Sequence, residues 1–257
     1  MTLASRKQAG SKQAGMALLL VLWVVAGLSI FAASLGRTVR SEAAQATVAR
    51  HLIEGRAYGE AAVYQVLFQI LSTGKQPDRY TLIDTNWQGV PIEVEIVPWT
   101  GLINIHGATA SLWTLVLEKA AQLPRSQAAQ VAEKIIESRK YDESKGAKWE
   151  SLEDLLQIPG VDYFVFQSIR PYLVAEGSSR QDVSSQASPE LLRRWLQEGG
   201  LDSARNAPSG ILRITAKIPF ESSGYAFVER DVLTRPSGFL GQKWKILAAE
   251  QFWRTNK

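Results

Sequence analysis

Glu93 and Glu95 are two carboxylates one residue apart, in a run where Val90, Ile92, Val94 and Ile96 alternate with Pro91, Glu93, Glu95 and Val97. That period of two puts both acids on one face of a strand. Paired carboxylates can divide the work of general acid and general base, but a solvated strand face accounts for these two without chemistry. The histidines, His51 and His106, lie far apart in the chain, and neither has a second ligand at metal spacing. No G-x-S-x-G elbow and no phosphate-cradling glycine run occurs. Zero cysteines remove a disulfide framework and thiolate metal sites, without excluding an oxidising compartment. Asp142 and Glu143 beside Gly146 offer two carboxylates where calcium takes six to eight oxygens. The residues therefore describe a chain that is no enzyme and holds no cofactor, with calcium as the one ion to consider.

A second constellation could grip a phosphate. Residues 152–174 read LEDLLQIPGVDYFVFQSIRPYLV, two short helices joined at Ile158, Pro159, Gly160 and Val161, like a helix-hairpin-helix. Such a hairpin offers backbone amides to a phosphate at a helix N-terminus, usually with a second glycine two residues after the first. Here that position is Asp162. A carboxylate there satisfies the orphan amides itself and repels a phosphate. A structural hairpin is the reading preferred over a nucleic-acid grip.

Around these groups the chain alternates between two kinds of element. Residues 80–84, 90–97 and 102–105 read as strands, with a turn at 86–89. Residues 109–122, 125–140, 151–157, 162–172 and 189–198 then read as helices, with start signals at Thr109 or Ser111, at Pro124, at Ser151 with Asp154, and at Ser188 with Pro189. Strands return at 211–218, 225–232 and 243–252, so the sheet begun before the helices is completed after them.

The N-terminal stretch determines where all of this sits. Residues 16–35, MALLLVLWVVAGLSIFAASL, carry no charge and reach roughly 30 Å as a helix, the thickness of a hydrocarbon core. Arg6, Lys7 and Lys12 precede them, and the first acid in the chain is Glu42. The positive-inside tendency then keeps the N-terminus cytoplasmic, although Arg37 and Arg40 weaken the asymmetry. A secretory signal peptide shares the basic n-region. Against it, the apolar run is long, and the sequence continues as an amphipathic helix with Val39, Ala43, Ala46, Ile53, Ala57, Ala61, Tyr64, Phe68 and Leu71 as its stripe. No proline interrupts residues 16–72, so the expectation is one rod of roughly 85 Å, its first half in lipid and its second half outside it.

The 257 residues carry a formal charge of +4 and a pI near 9.3. Cutting after Gly15 removes three cations and no acid, which leaves +1. A nearly neutral body has little to drive nucleic-acid binding through counterion release.

A basic leader ending in Lys12, Gln13, Ala14 and Gly15, then Met16 and an apolar span running into an amphipathic helix, resembles a type IV prepilin-like N-terminus. The resemblance implies cleavage by a membrane prepilin peptidase between Gly15 and Met16 and N-methylation of Met16. The family usually has glutamate at the fifth mature position, which here is Leu20. An intramembrane carboxylate needs a partner, and in such filaments it is thought to pair with a neighbour's N-terminus. Loss of it is typical of one family, the type II secretion system minor pseudopilin K (general secretion pathway protein K), which the chain also resembles at Trp99, Thr100, Gly101, Leu102, Ile103, Asn104 and Ile105 and over residues 151–174. Beyond Val174 the resemblance fades to Ala187, Ser188, Pro189, Glu190, Leu191 and Leu192.

The fold this implies is α+β: a pilin-like long N-terminal helix, transmembrane then amphipathic, packed on an antiparallel sheet, with an inserted all-helical domain carrying the hairpin. Its expected parts are a cleaved leader at 1–15, a transmembrane helix at 16–35, a discontinuous α/β domain at 36–108 and 199–257, and the helical insertion at 109–198. The function implied is a non-enzymatic tip subunit of the periplasmic pseudopilus, single-pass in the bacterial inner membrane with most of the chain periplasmic. Its implied partners are I- and J-type minor pseudopilins, the inner-membrane assembly platform and membrane lipid, with no nucleic acid. Some members bind calcium. Helix would pack on helix along residues 16–71, with Gly27, Ala32 and Ala33 allowing close approach. Two alternatives stand beside it: a membrane-anchored DNA receptor using the hairpin, and a plain anchored adaptor with an uncleaved leader.

Overall fold

The computed structural model describes residues 10–144, 149–175, 180–203, 209–220, 224–234 and 244–254, and within these leaves the side chains of 10–18, 32–40, 44 and 141–144 aside. The chain divides into two units, Met1–Ile53 and Glu54–Lys257. Helix α1, Gly10–Thr73, is continuous over 64 residues and belongs to both. In the first unit the side chains from Leu19 to Phe31 are exposed. Among the described residues no helix is long and apolar enough to cross a membrane. The side chains at both ends of the expected span, 16–18 and 32–35, lie outside the described residues, as does most of the leader.

The second unit is built on a five-stranded sheet in the order β1-β2-β5-β6-β7. Its strands are β1 (Thr81–Trp87), β2 (Val90–Pro98), β5 (Ile211–Phe220), β6 (Gly224–Leu233) and β7 (Lys245–Arg254), antiparallel throughout. β2 and β5 lie side by side, Glu93 opposite Lys217 and Val97 opposite Arg213, although more than a hundred residues separate them in sequence. The helices between them are α2 (Ala110–Lys119), α3 (Arg125–Ser144), α4 (Tyr163–Ile169) and α5 (Glu190–Glu198), with a 3-10 turn at Leu152–Gln157. These share a core of their own around Trp113, Ile135, Leu155, Ile169 and Leu192. The segment at 102–105 does not join the main sheet: β3 (Ile103–Asn104) pairs in parallel with β4 (Leu173–Val174), a strand too short to announce itself by alternation.

The inner face of the sheet carries Ile92, Val94, Ile96, Leu212, Ile214, Ala216, Ala226 and Val228 against α1. The helix face that meets it differs from the expected stripe. Ala62, Val63, Val66, Leu67 and Ile70 are buried, while Phe68 stays 74% exposed and Tyr64 41%. The reason is close approach: a Cβ on Gly55 would lie 2.5 Å from that of Ala226, and one on Gly59 would lie 2.4 Å from a Val228 methyl. Small residues let helix and sheet backbones come together, and they turn the bulky Tyr64 and Phe68 outward.

Candidate functional site

The termini of the helical block are drawn together. Thr100 accepts from the amide of Ser184 (2.9 Å), Gly101 from the hydroxyl of Ser188 (2.8 Å), and Gln186 from the amide of Tyr80 (3.0 Å). A Cβ on Gly101 would stand 2.1 Å from the Ala187 carbonyl oxygen, so only glycine fits. The two sequence stretches around Gly101 and Ser188, read separately above, are one junction.

Across the outer face of the sheet, cross-strand register aligns Glu95, Thr215, Glu229 and Glu250 in one row and Val97, Arg213 and Asp231 in the next. Arg213 is 6% exposed. Its guanidinium donates to both carboxylate oxygens of Asp231, lies 3.3 Å from Glu229, and reaches the carbonyls of Pro171 and Leu173. Burial works against its charge, and Glu229 and Asp231 overcome that, so it holds its proton more firmly than usual. Arg170, at the end of α4, pairs with Glu250. These contacts fasten the helical block to the outer face of the sheet and leave a cleft of about 780 Å³ between them.

Glu95 corrects the solvated-face reading. It is half-buried in that cleft, whereas Glu93 is exposed and paired with Lys217 at 3.1 Å. Burial pushes the Glu95 carboxyl up, the Tyr80 hydroxyl that donates to it pulls it down, and the charges of Glu229 and Glu93 raise it further. Tyr80 is raised in turn by burial and by Glu95, Glu93 and Glu190. Only the register that brings Arg213 and Glu229 alongside could have shown this cluster. The alternation of Arg213 with Leu212 and Ile214 was its one sequence signal.

The other sites separate. Asp162 caps α4, accepting from the amide of Val165 at 2.8 Å, so one of the amides at the hairpin's second helix is taken and a carboxylate stands beside the rest. His51 lies on α1 and His106 follows β3, and among the described residues no group of His, Asp and Glu could hold a metal. Asp142 and Glu143 lie in the last turn of α3; their side chains, and Gly146, lie outside what is described. Gly15, Met16 and Leu20 are all on α1, and Leu20 is 66% exposed.

No protein-family model matches the chain, and no curated protein matches it. Among solved structures, a chain of the GspK-GspI-GspJ complex from the enterotoxigenic Escherichia coli Type 2 Secretion System is similar to it at 12% identity and a TM-score of 0.47. The similarity covers 81% of this chain and 99% of that one.

Proposed function

We propose that the chain is a non-enzymatic minor pseudopilin of the K type, a tip subunit of the type II secretion pseudopilus anchored in the inner membrane by residues 16–35. The reading rests on one combination. An unbroken α1 lays its C-terminal part on an antiparallel sheet, and a helical block with a Pro-Gly-Val hairpin is lodged between neighbouring strands β2 and β5. Leu20 stands where the resembling families carry glutamate or have lost it. In this reading Gly15 and Met16 flank the processing site, Met16 is methylated, and the helical insertion at 109–198 blocks addition of a subunit above it. I- and J-type pseudopilins, the prepilin peptidase and the assembly platform are its partners.

Intact mass and N-terminal sequencing of membrane-extracted protein, made with and without a prepilin peptidase, test it. A peptidase-dependent N-terminus at Met16 supports the reading. An intact leader in both samples overturns it.

A further inference from the structure

The cleft on the outer face of the sheet has a volume of about 780 Å³, inside the range of small-ligand pockets. Four carboxylates, Glu95, Glu190, Glu229 and Glu250, and three guanidinium groups, Arg170, Arg213 and Arg254, line it. Two of the cations are ion-paired, Arg213 with Asp231 and Glu229 and Arg170 with Glu250, while Arg254 lies over the rings of Phe227 and Phe252. Glu190 lies 3.7 Å from Arg194. Glu95 has a hydrogen bond from the neutral Tyr80 hydroxyl and no ion pair among the described residues; the Arg213 charge attracts it from a distance, but that guanidinium is already paired with Asp231 and Glu229, and burial with the charges of Glu229 and Glu93 outweighs it. It stands on the cleft wall, stripped of part of its water and repelled by Glu229. An anion there would meet the same repulsion. A cation would relieve both costs.

We infer that this cleft binds an alkylguanidinium or alkylammonium group, its charge against Glu95 and its methylene stem along Val97 and Leu191. Val97 is two residues further along the same strand face, and Leu191 is a half-exposed side chain on α5 that also lines the cleft. That chemistry is supplied either by an arginine or lysine side chain of a protein segment or by a free polyamine. The inference does not depend on how the N-terminus is processed.

Ligand-observed NMR on the full chain in detergent micelles tests it, with three probes: N-acetyl-arginine amide, its neutral isostere N-acetyl-citrulline amide, and spermidine. Saturable binding of a cationic probe is expected, at least roughly tenfold tighter than the citrulline compound, as a charge-assisted hydrogen bond implies. Glu95→Gln should weaken it by a similar factor, and Leu191→Trp, which fills the space and keeps the charge, should abolish it. A tighter arginine probe assigns the site to a protein side chain, a tighter spermidine to a free polyamine. Equal binding of arginine and citrulline probes, no saturable binding of either cation, or full affinity in a folded Glu95→Gln variant overturns the inference. The comparison of probes on the unaltered chain stands even if a variant fails to fold.

Discussion

Arg213 on β5 and Asp231 on β6 face each other across the sheet in a two-pronged pair, Nε to Oδ1 at 2.9 Å and Nη2 to Oδ2 at 3.1 Å. The same guanidinium donates to the carbonyls of Pro171 and Leu173, so one side chain holds two strands together and the helical block to both. Removing it strands a buried carboxylate. Arg213→Met is expected to lower stability by about 3–5 kcal/mol, and adding Asp231→Leu should recover much of that loss, because an apolar pair needs no desolvated charge. Urea unfolding of the single and double variants measures both; equal stability of Arg213→Met and the unaltered chain would mean the pair does not hold the layers.

Gly59 lies where α1 nearly touches β6. In an open helix, alanine in place of glycine would stabilise by about 1 kcal/mol, but here the added methyl would fall 2.4 Å from Val228. Overpacking costs about 1–3 kcal/mol, so Gly59→Ala is expected to be net destabilising. A thermal melt that rises in Gly59→Ala would contradict the close approach.

The pH dependence of stability has a sign set by Glu95. Its folded-state pKa is raised, chiefly by burial, so between the ordinary carboxylate value and that raised value the folded chain binds more protons than the unfolded one. Its contribution is present below the ordinary value and is lost as pH climbs through the folded one. Glu60 works in the opposite direction. Burial raises it, but hydrogen bonds from Arg56 and Arg230 bring it below the ordinary value, so its contribution is lost as pH falls. Glu95→Gln should therefore gain stability relative to the parent above the carboxylate range, while accepting the same hydrogen bond from Tyr80. Paired melts at acidic and neutral pH check this, and a gain confined to acidic pH would reverse the assignment.

Asp162 serves α4 as its N-cap. Asp162→Ala is expected to cost about 1 kcal/mol, the usual worth of such a cap, and to create no affinity for duplex DNA. A salt-sensitive DNA shift in the variant but not in the parent would show that the carboxylate had been masking a phosphate site.

Leu20 is in the first unit and does not contribute to the core of the second. Leu20→Glu should leave the melting of the unit Glu54–Lys257 unchanged and, in secreting cells, alter the position or stoichiometry of the subunit in the filament. Unchanged tip localisation and filament length would remove the role proposed for Leu20.

Much of the architecture follows from local signals. The alternation along β2 and β5, the caps at Thr109 and Asp162, and the turn at Gly160, whose φ of +101° suits glycine, are set within a few residues, so the chain announces them. The apolar stretch at 16–35 and the junction of Gly15 with Met16 are likewise properties of the sequence. Tertiary structure alone decided which face of α1 meets the sheet, because Gly55 and Gly59 carry almost no hydrophobic signal, and their effect depends on Ala226 and Val228, far along the chain. It also decided the fate of Glu95. A carboxylate on an alternating strand looks solvated until β6, two strands away across Thr215, supplies Glu229 and the helical block closes over it, and the desolvation and repulsion that define the cleft arise only from that long-range pairing.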